Sequence, residues 1–378
     1  MSETYIAGAG MVRFGKYPVD ITFEKLAVGA AREAMSDAGV TTKDIESVYV
    51  GHVFGGPVAG QRVAAQMGLG GLPVSNHENY CASGATAIRE AWIAIKAGLY
   101  DIVLVIGAEK MTDRVSGGVM PDPTDLDAIN GLVMAANHGM SARRYMSDHG
   151  ATREQIAAVA VKNHAHSVHN PFAQYQRPIS LQEVLDARTI AEPLGLLDCS
   201  PISDGAAAVV LCSAAGLARL GRSSAPRIAG CALVSGKIVT ADTNLNDEDV
   251  SRRAGEQAWN ITGYGPEDID LVEMHDCFTI AEIVRLEASA SSRSVRVGDG
   301  QRAVTPRSGA NFPSTPAAAS SAVDTRWGPP ASRRSASSPG NSPTEPVDGK
   351  STKRTSGSPI AREAPSAAPT VARSQSCW

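Results

Sequence analysis

Two stretches of this chain repeat one another. "AGVTTKDIESVYVGHVF" (38–54) and "TGYGPEDIDLVEMHDCF" (262–278) align without a gap, so that Asp44, Ile45 and Val48 fall on Asp268, Ile269 and Val272. Each copy follows a helical pattern and passes through a capping acid into a run of strand character. Two distant copies predict two similar α/β halves, whereas a solenoid needs many adjacent repeats. The second half is expected to open at "PRIAGCALV" (226–234).

Residues 1–288 alternate short apolar runs with amphipathic ones, the pattern of α/β layers. "TYIAGAGMV" and "DIVLVIGAE" read as strands, and "FEKLAVGAAREAMSDAG" reads as a helix that Gly39 ends. "GAGMVRFG" has Arg13 where a dinucleotide-binding loop needs its third glycine, so a Rossmann site is rejected. The expected domains are 1–225, with a loop region at about 111–190, and a second domain beginning over 226–288.

From about Ser289 the periodicity stops. Half of the 22 prolines lie in residues 289–378, where "ASRRSASSPGNSPTEPVDGKSTKRTSGSP" has too little apolar surface to offset chain entropy. By composition this is a disordered tail.

Charge and cysteine usage remove several function classes. A net charge of −4 offers no electrostatic case for nucleic acid or for an anionic membrane. No run approaches membrane-spanning length, and "MSETYIAGAG" lacks the basic-then-apolar order of a signal peptide. Cysteines 81, 199, 212, 231, 277 and 377 include no C-x-x-C pair, which argues against zinc and disulfides and suits a reducing cytoplasm.

Four stretches bear on chemistry. In "ENYCASGATAIREA" (78–91) Cys81 precedes small residues and a helical pattern. A thiol at a helix N-terminus is pushed toward thiolate, and small neighbours admit a substrate; a buried structural cysteine fits the stretch equally well. "MHDCFTIAEIVRLEA" (274–288) puts His275 and Cys277 at a strand end just before a helix, where ligands of α/β folds bind. The competing reading there is a satisfied core histidine beside a buried thiol. In "SPISDGAAAVVLCSAAG" (200–216) the Asp204-Gly205 pair reads chiefly as a turn. His164, His166 and His169 in "NHAHSVHN" have no accompanying acid or thiol, so they read as a solvated loop and not a metal site.

These residues together resemble the thiolase family. "NYCASGATAIREAWIAIKAGLYDIVLVIGAEKMT" resembles the thiolase nucleophile segment, its following strand and its Gly-Ala-Glu-x-Met loop; "PISDGAAAVVL" resembles the strand closing the first domain. "HDCF" (275–278), in place of Asn-Glu-Ala-Phe, marks the sterol-carrier-protein type, often labelled lipid-transfer proteins. The resemblance covers about residues 3–288 and implies the layered αβαβα thiolase fold, normally a homodimer or homotetramer. It implies acyl transfer between CoA thioesters: thiolysis of a 3-oxoacyl-CoA, or the reverse Claisen condensation. Cys81 would be the nucleophile, His275 an oxyanion-hole donor and Cys277 the acid/base thiol. Acyl-CoA and CoA would be the partners, with no bound cofactor or metal, and no residue is assigned to cofactor binding. Two alternatives share the fold. One is a thiolase-like retro-aldolase acting on steroid side-chain CoA esters, whose relatives generally lack the nucleophilic cysteine present here. The other is a non-catalytic lipid-transfer or partner protein, although no sterol-carrier domain follows residue 288.

The tail departs from the family, which carries Asn-Pro-x-Gly-Gly and then Gly-His-Pro-x-Gly-Ala-Thr-Gly, whose histidine activates the nucleophile. Residues 289–378 contain no histidine. With each codon shifted by two bases, Asn311–Ala319 can encode Leu-Pro-Val-Asn-Pro-Ser-Gly-Gly-Leu. In the same frame Asp324–Pro330, entered from Val323, can encode Gly-His-Pro-Val-Gly-Ala-Thr-Gly. The expectation is a frameshift near Ala288 that truncates the second half and leaves residues 289–378 as an out-of-frame tail.

Overall fold

The computed structural model describes residues 2–115, 117–119, 124–236, 244, 246 and 248–291, all within one compact unit. The expected tail lies outside the described residues from 292 onward. The elements run β1 (Thr4–Met11), α1 (Phe23–Ala38), β2 (Ser47–Gly51), α2 (Ala59–Met67), β3 (Val74–His77), α3 (Ser83–Lys96) and β4 (Ile102–Lys110). There follow α4 (Leu126–Ile129), α5 (Met134–His149), α6 (Arg153–Ser167), α7 (Leu181–Leu185), β5 (Thr189–Ala191) and β6 (Leu194–Gly195). The described chain closes with β7 (Asp204–Ser213), α8 (Ala214–Arg219), α9 (Asp249–Thr262) and α10 (Thr279–Ser291).

Five strands form one sheet in the order β1-β7-β4-β2-β3. β2 is parallel to β3 and β4, and β7 is antiparallel to both β4 and β1. Both faces are covered, as the period of two demands. Val48, Val50, Ile102, Leu104 and Ile106 pack with α1 and α2, whereas Tyr49, Val103 and Val105 pack with Ala87, Ala91 and Ile95 of α3. The sheet strands consequently read as continuous apolar runs. The loop region expected at 111–190 carries four helices, α4 to α7.

The repeat has matching geometry. Gly39 and Gly263 both end a helix in the left-handed conformation, at φ 72° and 75°. Asp44 Oδ2 then accepts the Thr41 N–H at 2.8 Å, and Asp268 Oδ2 accepts the Gly265 N–H at 2.8 Å. After that the copies diverge. The first becomes β2; the second runs through 269–276 without helix or strand, and Phe278 makes an isolated bridge to Cys199. "PRIAGCALV" likewise forms no strand, and Arg227 alone bridges to Tyr5. A strand exists only where a neighbour accepts its ladder; among the described residues β1 bonds the first run only at Pro226 and Ile228, and the chain before β7 meets the second only at Cys277 and Phe278. The second half is therefore represented by α9 and α10, with α10 packed through Ile280, Ala281 and Val284 against Ala142 and Ile156 of α5 and α6. No described helix is long and apolar enough to cross a membrane.

Candidate active site

The sheet presents its functional edge at the carboxyl ends of β2, β3 and β4, where Gly51 pairs with both His77 and Gly107. Ligands of parallel α/β sheets bind outside this edge. Beyond His77 the chain turns through Glu78, Asn79 and Tyr80 to Cys81 and then enters α3, so the helix does start just past the cysteine. Tyr80 has φ 45°, a costly conformation for a bulky residue, roughly 1–3 kcal/mol. Glu78 Oε1 accepts its N–H at 2.8 Å, and its carbonyl accepts the Ser83 hydroxyl at 2.6 Å. Ser83 Oγ also accepts the Asn79 N–H at 2.8 Å. Gly51 lets α3 sit directly on the end of β2, since a Cβ there would lie 2.5 Å from the Ser83 carbonyl carbon and oxygen. Cys81, half-buried, is thus set on a braced strand–turn–helix junction.

Glu109, near the end of β4, accepts the Val53 N–H and, at 3.2 Å, the Phe54 N–H. Burial, with the nearby Glu78 carboxylate, pushes its carboxyl up to about 7 against the pull of those N–H groups. The Gly-Ala-Glu-x stretch is a continuation of β4 and not a loop.

Asp204 corrects a second expectation. It is no turn residue: it opens β7, paired in register with Lys110. Its buried carboxylate accepts hydrogen bonds from Lys110 Nζ (2.8 Å), Thr112 Oγ1 (2.6 Å), the Thr112 N–H (2.9 Å) and the Tyr17 N–H (3.0 Å). Thus a buried ion pair closes the β4–β7 ladder at the functional edge.

The segment that carries His275 and Cys277 is tied to the chain before β7. The Ser200 N–H donates to the Cys277 carbonyl at 3.0 Å, and Cys199 bridges Phe278. Three residues lie between Ser200 and Asp204, a reach of at most about 14 Å. Buried Asp198 fixes the segment further, since it accepts both Arg153 guanidinium N–H groups and the Thr279 hydroxyl. Cys277 Sγ, 6% exposed, lies 3.6 Å from His138 Nε2 on α5 and 3.8 Å from Arg285 Nη1 on α10. Burial raises the Cys277 thiol and Arg285 opposes this.

One ring nitrogen of His275, Nε2, is buried and left without a protein partner among the described residues. Burial first, then the Arg285 and His138 charges, hold its ring down at about 4, so it is neutral at neutral pH. Asp276 beside it accepts the Asn163 amide at 2.6 Å, and burial plus Glu282 push its carboxyl up to about 7. His164 and His166 lie on α6 and not in a loop; His164 Nδ1 is 3.1 Å from the Arg177 carbonyl. Among the described residues no group of three or more His, Cys, Asp or Glu is placed to hold a metal ion.

His138 and Arg285 carried no sequence signal, being single residues within helices. Lys110 stood inside "GAEKM" unread, because only its register opposite Asp204 gives it a role.

The thiolase N-terminal domain family matches residues 4–215, more than half of the chain. The chain belongs to the thiolase family. A thiolase C-terminal domain-like family matches residues 232–316. The chain is 37% identical over 289 residues to the benzoylsuccinyl-CoA thiolase subunit BbsB of Thauera aromatica, covering 75% of this thiolase and 74% of that one. It is 36% identical over 318 residues to an acetyl-CoA acetyltransferase of Methanothermobacter thermautotrophicus, covering 80% of each. Over 312 residues it is 34% identical to non-specific lipid-transfer protein-like 2 of Caenorhabditis elegans, covering 76% and 75%. Among solved structures, the Ltp2-ChsH2(DUF35) aldolase superposes with a TM-score of 0.63 at 28% identity, covering 76% of each chain. The thiolase fold, the sterol-carrier-type kinship and an acyltransferase resemblance are thereby shown.

Proposed function

We propose that this thiolase transfers acyl groups between CoA thioesters, with Cys81 as nucleophile, His275 as oxyanion donor and Cys277 as acid/base thiol. The observation that carries it is the strained Tyr80 turn, which sets Cys81 at the head of α3 on the sheet's carboxyl edge. There the helix N-terminus favours thiolate. The Cys81 thiolate attacks the C3 carbonyl of a 3-oxoacyl-CoA, and the C2–C3 bond breaks to leave an acyl-enzyme and the enolate of acetyl-CoA. Cys277 gives its proton to that enolate carbon and takes one back from incoming CoA, whose sulfur then removes the acyl group from Cys81. The unpartnered, neutral His275 Nε2 suits an N–H donor to the developing oxyanion. The same reading has a cytoplasmic homo-oligomer working on acyl-CoA and CoA.

We further propose that a second domain begins near residue 226 and is interrupted near Ala288 by a change of frame. The histidine that would activate Cys81 is then missing, a general-base role of about 10²–10⁴ in rate. The test compares acetoacetyl-CoA cleavage, in the presence of CoA, by the chain as written and by one read in the shifted frame after about codon 288. Faster turnover by the restored chain is expected. Equal turnover contradicts the frame reading, and no turnover by the restored chain contradicts the substrate class.

The aldolase superposition favours one second reading, retro-aldol cleavage of a CoA ester. It requires no covalent acyl-enzyme, so acylation of Cys81 separates the two.

A further inference from the structure

We propose that His138 is the positioning residue of Cys277, its Nε2 accepting the S–H hydrogen bond so that the thiol is held protonated and oriented. This rests on the acid/base reading of Cys277 given above. Three contacts define the imidazole. Its Nδ1 lies 3.0 Å from the Met134 carbonyl, its ring stacks on Phe278 with centroids 4.2 Å apart, and its Nε2 lies 3.6 Å from Cys277 Sγ. A carbonyl can only accept, so Nδ1 carries the proton. Burial, and then the Arg285 charge, push the ring down to about 4, so at neutral pH Nε2 keeps its lone pair. A lone pair facing the sulfur welcomes S–H and disfavours thiolate.

Arg285 works in the opposite sense. Its Nη1 donates to the His275 carbonyl at 2.8 Å and points at Cys277 Sγ at 3.8 Å, favouring thiolate. Asp276 and Glu248 also bear on the sulfur, and both raise it. Cys277 is therefore poised between an acceptor that keeps its proton and a cation that eases its loss. An acid that must give a proton and then recover one needs that balance. Phe278 adjoins Cys277 in the sequence, so the stack and the hydrogen bond lock one imidazole orientation from two sides.

The test uses the full chain with ¹⁵N-labelled histidine and ¹³Cβ-labelled cysteine. Expected for His138 is a protonated Nδ1 and an unprotonated Nε2, with Cys277→Ala moving the Nε2 resonance and leaving Nδ1 in place. His138→Phe keeps the stack on Phe278 and removes the acceptor. It should lower the Cys277 titration midpoint by about half to one pH unit, the worth of one neutral hydrogen bond. A protonated Nε2, an Nε2 resonance indifferent to Cys277→Ala, or an unchanged or raised midpoint overturns the proposal. If His138→Phe does not fold, the Cys277→Ala spectrum decides alone. None of these readouts involves Cys81, so failure of acyl transfer there is a separate result.

Discussion

Lys110 Nζ sits 2.8 Å from Asp204 Oδ2, with side chains 5% and 0% exposed, at the last register position of the β4–β7 ladder. Burial opposes the charge of Asp204, but Lys110, Thr112 and the Tyr17 N–H hold the carboxyl below its ordinary value. Breaking a buried pair costs up to about 3–5 kcal/mol, and here each partner keeps others: Lys110 Nζ also meets Asp113 Oδ1 at 3.0 Å, the Tyr17 carbonyl and the Thr112 hydroxyl. Asp204→Ala should cost the more of the two, because it orphans the Tyr17 and Thr112 backbone N–H groups. Lys110→Met should cost less, since three donors remain on the carboxylate. Urea unfolding of both variants checks this order. The carboxylate's contribution is complete above roughly pH 3.9, the unfolded value, and is lost as pH falls through the depressed folded one.

Opposite signs of pH dependence are built into the buried titratable groups. Asp276 and Glu109, raised to about 7, bind protons more tightly folded than unfolded, so they subtract stability as pH rises from roughly 4 to 7. His138 and His275, lowered to about 4, subtract stability as pH falls from roughly 6.5 to 4. Asp276→Asn should therefore raise the melting temperature more at about pH 8 than at about pH 5. An equal change at both would remove burial as the cause of its shift.

Cys81 should react with iodoacetamide before the other described cysteines. Burial raises every one of those: Cys199 to about 12, Cys212 to about 11, and Cys231 and Cys277 upward as well. Peptide mapping after brief treatment reads this directly. Prior labelling of Cys231 or Cys212 would count against the Cys81 turn as the reactive one.

Gly51→Ala should slow that labelling without touching the cysteine. Its Cβ would fall 2.5 Å from the Ser83 backbone and 2.7 Å from the Gly84 nitrogen, displacing the start of α3. Overpacking of this kind costs about 1–3 kcal/mol. Gly15→Ala, whose Cβ meets nothing within 4 Å, is the control and should leave both stability and labelling unchanged.

What the sequence revealed and what it hid follow one physical division. Strands β1, β2, β4 and β7 and helices α1 and α3 were legible because period and capping are local: Gly39 ends α1, and Ser83 opens α3 just past Cys81. The repeat was legible because Asp44 and Asp268 perform the same capping. The strands expected at 226–234 and 269–276 depend on neighbours elsewhere in the chain, and no local pattern supplies those. Asp204 was misread because a turn and a strand start share the same dipeptide; the buried lysine opposite distinguishes them. His138 and Arg285 meet Cys277 from two helices far apart in sequence, a relation that exists only after packing.

Covalent acylation of Cys81 is the event on which the functional reading turns. The full chain is incubated with acetyl-CoA, quenched in acid, digested and mapped by mass, beside Cys81→Ser and Cys277→Ser. A thioester-linked acetyl group on the Cys81 peptide, released by CoA, absent from Cys81→Ser and retained in Cys277→Ser, is the predicted result. A helix-start thiolate can form it slowly even without an activating histidine. Acetyl on another cysteine, or none on Cys81 while acetyl-CoA is consumed, would contradict the assignment of Cys81 as nucleophile.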